Sequence, residues 1–173
     1  MKTFSIALIP GDGIGTAVID AAWDVLQRAA SLHGFTLRAT RFPWSCAFYR
    51  QNGAMMPADG IETLRPFDAI FLGAVGWPAE VPDSVSLHGL LLPIRKAFRQ
   101  YANIRPHRLL PGVEGPLRTT NFDILCIREN TEGEYSGAGG RVHVGTPDEV
   151  AVETSIFTPV SYTHLRAHET PEH

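Results

Sequence analysis

The sequence has few cysteines, no excess of positive charge and no long apolar run. Its 173 residues include two cysteines, Cys46 and Cys126, which exclude a disulfide framework and lack the spacing of a metal site. Fifteen Lys and Arg against eighteen Asp and Glu give a net charge of −3, so no basic surface is available for nucleic acid. No apolar stretch is long enough to span a bilayer. We therefore expect no nucleic-acid partner and no membrane.

The remaining composition is typical of a folded protein, with 44% hydrophobic and 19% charged residues. The apolar segment at residues 4–10 is too short for a secretory signal and lacks a small-residue cleavage site. Two cysteines that form no framework are typical of a reducing compartment. We expect a cytoplasmic protein.

Strand and helix patterns alternate along the chain. Residues 4–9 form an apolar run typical of a buried parallel strand, and residues 15–33 show helical spacing that ends at His33 and Gly34. The apolar positions that give this helical spacing are Val18, Ile19, Ala22, Val25, Leu26 and Ala29. Further strands are predicted at 35–42, 68–73, 105–110 and 122–127, and further helices at 61–64 and 86–101. The alternation predicts an α/β fold with a largely parallel sheet, followed by loop and hairpin near the glycines of residues 133–140.

Residues 159–173 differ in character from the rest of the chain. They lack apolar periodicity, although His164 and His168 have the i, i+4 spacing of a helical metal pair. Residues 160–170 back-translate into the end of a transposon-derived adapter used in sequencing libraries. We interpret 159–173 as a non-native, adapter-derived tail and expect it to pack against nothing. A genuine extension of the chain is the alternative.

Three groups of residues have the character of a functional site. Residues 9–15, between a strand and a helix, suggest a dinucleotide fingerprint, but Thr16 stands where its third small residue belongs, so a tight turn is the alternative. Three arginines at element ends suggest a clamp for a small dicarboxylate, or solvated surface charges: Arg95, Arg105 and Arg128. Residues 129–135 suggest acid–base chemistry or a polar loop, with Tyr135 as an acid or a packing residue.

The order of these motifs is more specific than any one of them. Together they strongly resemble the isocitrate/isopropylmalate dehydrogenase family of β-decarboxylating dehydrogenases, on residues 9–15, 67–78, 91–96, 103–106 and 128–135. Within the family, residues 73–78, 81–83, 86–87, 110–113 and 139–141 look most like the tartrate dehydrogenase/D-malate dehydrogenase branch. The resemblance implies a two-lobed, isopropylmalate-dehydrogenase-like α/β fold of which only the amino-terminal half is present. Residues 1–99 would then belong to the first lobe, and 100–158 would start the second.

The resemblance also implies a chemistry and the residues that perform it. In the family, a 2-hydroxy acid is oxidised by NAD and then loses its β-carboxylate, with Mg or Mn as the divalent metal. The residues implied to bind the substrate's carboxylates are Arg95, Arg105 and Arg128. Tyr135 would protonate the enolate that remains after decarboxylation. The residues implied to line the nicotinamide side of NAD are Ile14, Ala74 and Gly76.

Other parts of the family's machinery have no counterpart in this sequence. The catalytic lysine, the metal-binding aspartates and the adenosine-binding loop are expected in the missing half, and the full-length protein is expected to be a homodimer. This implies that the 173-residue chain is inactive alone. The alternatives left open are 3-isopropylmalate dehydrogenase activity and a non-catalytic fragment that acts only through association. The choice of 2-hydroxy acid and of NAD against NADP also stays open.

Overall fold

The computed structural model describes residues 2–115, 117–118 and 122–161. The chain forms two compact units, Met1–Ile94 and Arg95–His173, so the break falls within the predicted first lobe. His164 and His168 lie outside the described residues. Among the helices of the described ranges, none is long and apolar enough to cross a membrane.

The first unit is a three-stranded parallel sheet with helical connections. The strands are β1 (Lys2–Ile9), β2 (Phe35–Arg41) and β3 (Ala69–Leu72), in the order β2-β1-β3. The helices are α1 (Ile14–His33), α2 (Cys46–Asn52), α3 (Gly60–Leu64) and α4 (Asp83–Ser86). A π-helical turn (Leu87–Leu91) and α5 (Leu92–Ala97) continue α4. The predicted parallel strands and the helix after β1 are confirmed, whereas α2 was not predicted.

The core of the first unit forms around the central strand. Ile6 and Leu8 are two residues apart on β1, so they share one face of the sheet, where they pack with Ile19 of α1. Ile9 is fully buried as well, as expected of a central parallel strand that is covered on both faces. Burial of these aliphatic side chains is the main stabilising contribution to the unit.

Half of the apolar positions that indicate α1 by their spacing are exposed in the structure, namely Val18, Val25 and Leu26. Ile19 is 1% exposed, but Val18 is 51% and Val25 is 68% exposed. The helix has the predicted length and ends at Gly34, which adopts the left-handed conformation at φ +73°. The physical reason for the difference is that no described element covers the stripe that contains Val18 and Val25.

The predicted second long helix is shorter and less regular than expected. The prediction was residues 86–101, whereas the helical segment runs from α4 through the π-helical turn to the end of α5 at Ala97. Pro93 is the second residue after the turn. Proline has no backbone N–H, and its ring would clash with the carbonyl four residues before it. A wider turn just before Pro93 relieves this clash and accounts for the irregularity.

The second unit consists of antiparallel strand pairs. Strand β4 (Ala102–Arg108) pairs with β5 (Asp123–Glu129), and β6 (Gly133–Val142) pairs with β7 (Val150–Ile156). The prediction of a largely parallel sheet is therefore wrong for this unit. Parallel pairing needs a long crossover, and no described helix lies between these consecutive strands. Strand β7, which is exposed along its whole length, was not predicted.

The expectation that the chain packs against nothing from residue 159 is wrong for its first residues. Ser161 is 8% exposed, and its hydroxyl donates to the Glu132 carboxylate at 2.7 Å. The same carboxylate accepts from the backbone N–H of Thr158 at 2.7 Å. Glu132 thus ties this segment to the loop before β6. Residues 162–173 lie outside the described part of the chain, so their interpretation as a tail stays a prediction.

Candidate active site

Arg105 and Arg128 project from the same face of the β4–β5 ribbon. Arg128 lies opposite Asn103 in the antiparallel register, and Arg105 lies opposite Cys126. Because side chains alternate along a strand, Arg105 is on the face of Asn103, and Arg128 is therefore its diagonal neighbour. The predicted arginines of these two strands are brought together by the register.

Arg95, from α5, lies close enough to Arg105 and Arg128 for their charges to change its pKa. Burial lowers the pKa of Arg95 most, and the charges of Arg128 and Arg105 lower it further. Tyr135 acts in the opposite direction and raises the pKa of Arg95. All of these residues belong to the second unit. We call the three guanidinium groups together with Tyr135 the arginine cluster.

Tyr135 lies near the start of β6 with its ring against Arg128. The guanidinium carbon is 5.8 Å from the ring centroid, which is within cation–π distance. The backbone N–H of Tyr135 donates to the carbonyl of Glu132 at 3.2 Å, so a turn delivers the ring to this place. The half-buried ring packs against a cation, and the two roles weighed for Tyr135, acid and packing residue, are compatible in this geometry.

Two asparagines that sequence reasoning missed support the arginines. Asn103 accepts from Nε of Arg105 at 3.1 Å and donates to Asn130 at 3.3 Å. Asn130, only 5% exposed, accepts from Nη2 of Arg128 at 3.2 Å and donates to the carbonyl of Gln100 at 3.0 Å. Each asparagine stands two residues from its arginine in the sequence, and this spacing was the available signal. The amide groups fix the guanidinium planes without neutralising them.

The arginine cluster retains unused donor capacity. No described residue forms an ion pair with any of its three arginines, whereas four other arginines do have carboxylate partners. Nε of Arg128 is buried and has no hydrogen-bond partner among the described residues. A buried donor without an acceptor is costly. The arrangement is therefore suited to an anion that brings several acceptor oxygens.

The glutamates of residues 129–134 serve the local backbone rather than forming an acid–base pair. Glu129 accepts from the N–H groups of Thr131 at 2.9 Å and of Glu132 at 2.8 Å. Glu132 accepts from the hydroxyl of Thr158 at 2.5 Å, and this interaction contributes most to lowering the pKa of Glu132. These contacts agree with the polar loop that the sequence left open as one interpretation.

Of the residues implied to line the nicotinamide, Ala74 and Gly76 belong to one loop of the first unit, and Ile14 begins α1 directly after another. The loops follow β1 and β3, and a hydrogen bond of 2.7 Å from the N–H of Asp12 to the carbonyl of Ala74 joins them. The carboxylate of Asp12 also accepts from the N–H of Gly76 at 3.1 Å. Ile14 at the first turn of α1 is 72% exposed, which leaves an apolar side chain in solvent beside these loops. The structure thus brings the two loops together.

Gly11 allows this close approach. Its φ of +77° is in the left-handed region that favours glycine, and a Cβ at this position would collide with the carbonyl of Ala74. The glycine motif of residues 9–15 therefore acts as a tight turn packed against the neighbouring loop.

Asp12 is a buried acid that the sequence did not single out. It is 9% exposed, and its carboxylate accepts from the N–H of Cys46 at 3.0 Å, at the first residue of α2. It therefore connects α2 with the loop that contains Gly76. Burial is the main reason why the pKa of the Cys46 thiol rises to about 11, and Asp12 adds to the effect through a hydrogen bond and its charge.

Among the described residues, the arginine cluster belongs neither to a metal centre nor to the cavity of the first unit. Within the described ranges, no three His, Cys, Asp or Glu side chains are grouped as a metal site. A cavity of about 880 Å³ lies in the first unit and is lined by residues of α1, α2 and the end of β2, among them Asp20 and Arg41. These two residues pair with each other at 2.5 Å, so the cavity offers no unused charge. In the arginine cluster, by contrast, three cations have no carboxylate partner among the described residues.

The family profile and the most similar curated proteins agree on one family. The profile of the isocitrate/isopropylmalate dehydrogenase family matches residues 5–164, beyond the predicted start of the tail. The chain is 52% identical to the D-malate dehydrogenase [decarboxylating] of Escherichia coli, over 91% of this chain and 45% of that protein. It is 49% identical to the tartrate dehydrogenase/decarboxylase of Pseudomonas putida, over 90% and 44%. The chain thus spans about half the length of the curated relatives it matches.

Solved structures agree with these sequence relatives. Isocitrate dehydrogenase from Methylococcus capsulatus matches with a TM-score of 0.70 at 26% identity, over 90% of this chain and 43% of that one. A β-decarboxylating dehydrogenase from Thermococcus kodakarensis matches with a TM-score of 0.55 at 32% identity, over 88% and 41%. The expectation of a partial fold of this type is confirmed. The chain belongs to the isocitrate/isopropylmalate dehydrogenase family.

Proposed function

We propose that this chain supplies the substrate-binding part of an enzyme that oxidises and decarboxylates a small 2-hydroxy dicarboxylic acid of the D-malate or tartrate type. The complete site would also need the part of the relatives that this chain does not span. The single observation that carries the proposal is the arginine cluster, in which three cations share one region without a carboxylate partner among the described residues.

A dicarboxylate is the anion that fits this cluster best. Each guanidinium group presents two parallel donors that match one carboxylate, and the bidentate pair is stronger than a neutral hydrogen bond. Three guanidinium groups offer more hydrogen-bond donors than the two oxygens of a single carboxylate can accept. A second carboxylate at the far end of the substrate uses the remaining donors, including Nε of Arg128. A bound dianion also relieves the repulsion that lowers the pKa of Arg95.

Tyr135 is the residue that we propose as the acid of such a reaction. Loss of carbon dioxide from the oxidised substrate leaves an enolate that needs a proton on carbon. In our proposal the phenolic oxygen of Tyr135 donates that proton, and Arg95 and Arg128 hold the remaining carboxylate in place. The contact between the Tyr135 ring and Arg128 supports the proposal, because it places acid and carboxylate binder side by side.

The first unit has features that suit the nicotinamide end of NAD, which we propose as the cofactor. The fit rests on Ile14, whose apolar side chain is left in solvent at the start of α1, and on the loop of Ala74 and Gly76. Ile14, Ala74 and Gly76 would line the nicotinamide side of the cofactor. NAD when bound accepts the hydride removed from the 2-hydroxy carbon.

The described residues do not provide a metal site. The family implies Mg or Mn, yet no group of three acidic, His or Cys side chains is present in the part of the chain that the structure describes. We propose that the metal ligands belong to the part of the relatives beyond this chain, and we assign no step to a metal here. A homodimer of the longer protein and a cytoplasmic location are proposals of the same kind.

Titration calorimetry on the chain tests the proposed substrate class. We expect binding of D-malate or tartrate, weaker binding of the monocarboxylate D-lactate, and a loss of affinity of at least about tenfold in Arg128→Gln, since one charge-assisted bidentate pair is removed. Arg141→Gln is the matched control, because Arg141 is exposed and pairs with Glu149 at 2.8 Å. Equal binding of lactate and D-malate would contradict the proposal. Preferential binding of 3-isopropylmalate would favour the alternative activity.

A further inference from the structure

Lys96 makes a contact that the proposed function does not use. It follows Arg95 on α5, and its Nζ donates to the backbone carbonyl of Ser136 at 3.0 Å. Ser136 directly follows Tyr135 on β6. Lys96 is the neighbour of Arg95 in the sequence, and Ser136 is the neighbour of Tyr135. Their hydrogen bond therefore connects the helix that carries Arg95 with the strand that carries Tyr135. No carboxylate of the described residues pairs with Lys96.

The segment that Lys96 contacts is irregular. The pairing of β6 with β7 shifts register between Gly133 and Ala138, so residues 134–137 lack the support of a regular ladder. Gly137 has φ +69°, and a Cβ at this position would lie 3.1 Å from Nζ of Lys96. The ammonium group thus packs closely on the irregular segment, and a side chain at residue 137 would crowd it.

A second side-chain hydrogen bond connects the irregular segment with β7. The hydroxyl of Ser136 donates to the carbonyl of Thr154 at 3.2 Å. This bond attaches Ser136 to the hairpin, whereas the Lys96 bond attaches it to the helix. The Lys96 bond therefore fixes the place of the neighbouring Tyr135 relative to Arg95.

We propose that Lys96 is a positioning residue that holds Tyr135 in the arginine cluster through the carbonyl of Ser136. The role assigned to the Tyr135 hydroxyl rests on the proposed function, but the positioning itself does not. A charged donor on a carbonyl suits this task, because it adds a directional bond without placing a carboxylate beside the arginines. A carboxylate there would compete with the substrate for them.

The sequence offers a clean experiment, because Lys2 and Lys96 are its only lysines. Lys2 is the matched control, with its Nζ 4.7 Å from the Phe4 ring centroid in the first unit. The 173-residue chain is labelled with ring-¹³C tyrosine, and the Tyr135 signal is assigned by its loss in Tyr135→Phe. The signal is followed in Lys96→Met, Lys96→Arg and Lys2→Met, without ligand and during titration with D-malate.

We expect Lys96→Met to move the ligand-free Tyr135 signal and to speed amide exchange at residues 136 and 137 about tenfold, since a tether is lost. The D-malate-induced shift of the Tyr135 signal falls to less than about half, while the dissociation constant changes less than about threefold, because the arginines still bind the carboxylates. Lys96→Arg restores both Tyr135 readouts, and Lys2→Met changes neither. A general loss of structure would instead weaken binding and Tyr135 order together.

An unchanged ligand-free Tyr135 signal and unchanged amide exchange in Lys96→Met overturn the positioning role, whatever D-malate does. If these signals change as expected but the unmutated chain binds no D-malate, the positioning role stands and the proposed function fails. If Lys96→Met does not fold, a measurement on the unmutated chain tests the positioning role instead. A nuclear Overhauser effect between the ε protons of Lys96 and the α protons of Gly137 supports the proposal, and its absence overturns it.

Discussion

The guanidinium carbon of Arg128 lies 5.8 Å from the centroid of the Tyr135 ring. The contact joins β5 to β6, two strands that do not pair with each other. A contact of this kind between partly exposed groups contributes about 0.5–1 kcal/mol. It orders the guanidinium group before any anion arrives, which lowers the entropic cost of binding.

Replacement of Tyr135 separates the contribution of its ring from that of its hydroxyl. Tyr135→Phe keeps the ring against Arg128, so we expect D-malate affinity within about twofold of the unmutated chain, whereas Tyr135→Leu weakens it about twofold to fivefold through loss of the cation–π contact. Calorimetry measures both. Equal losses in the two variants would show that the hydroxyl, not the ring, supports binding.

Asp12→Ala is expected to destabilise the first unit strongly. The change leaves the buried N–H of Cys46 and the partly buried N–H of Gly76 without their acceptor, at a cost of about 2–4 kcal/mol in the free energy of unfolding. Urea denaturation followed by circular dichroism measures this loss. Asp20→Asn is the control, because the ion pair of Asp20 with Arg41 is half-exposed and contributes less than about 1 kcal/mol. Similar losses in the two variants would contradict the assigned role of Asp12.

The two cysteines are expected to react at very different rates. Burial raises the pKa of Cys46 to about 11, so its thiol stays protonated at pH 8, and it is fully enclosed as well. Cys126 is exposed. Since the thiolate is the nucleophile, iodoacetamide under native conditions should alkylate Cys126 alone, as peptide mass mapping would show. Cys126→Ser should abolish labelling, and rapid modification of Cys46 in that variant would be inconsistent with the structure.

Acid is expected to release the segment after β7 from the loop before β6. Hydrogen bonds from Thr158 and Ser161 lower the pKa of Glu132 below its ordinary value of 4.5. Their stabilising effect is therefore complete above pH 4.5 and is lost as the pH falls through the lowered pKa of the folded state. Amide exchange at Thr158, corrected for intrinsic rates, should accelerate below that point. In Glu132→Gln it should be fast at all pH values, and a pH-dependent profile there would argue against Glu132 as the cause.

The 173-residue chain alone is expected to show no dehydrogenase activity. The described residues contain no metal site, and carboxylate ligands for a hard cation are needed for the proposed chemistry. We also expect poor solubility, since Val25, Leu32 and other large apolar side chains are exposed. The assay follows NADH absorbance with NAD, Mn and D-malate or tartrate, beside a longer protein that includes the rest of the family fold. Comparable metal-dependent turnover by the short chain would refute this expectation.

The local signals of the first unit were strong enough to predict most of its elements. The apolar run of β1 and the helical spacing before Gly34 are local patterns, and each is enough to indicate the type of element and where it ends. The covered face of α1 was not predictable in this way. Spacing shows that Val18 and Val25 lie on a stripe, but only the presence of a packing partner decides whether that stripe is buried.

The arginine cluster also depends on tertiary packing that local sequence patterns do not determine. The family resemblance identified Arg95, Arg105 and Arg128, whose sequence separations carry no information about distance. Their approach depends on the register of β4 against β5, which no local pattern specifies. Asn130 was missed for a related reason, because a polar residue in a polar segment gives no sign that it will be buried.

The π-helical turn Leu87–Leu91 gives this helical segment a place where its length can change. Its i→i+5 hydrogen bonds enclose one residue more than the i→i+4 bonds of an α-turn. Removing one residue from the turn would therefore let it close as an α-turn and leave the residues after it facing nearly as before. The same deletion within Leu92–Ile94 has no wide turn to absorb it, and it would rotate the Arg95 side chain about the helix axis by about 100° relative to the residues before it. Two deletions of equal size a few residues apart would thus have opposite consequences for the arginine cluster.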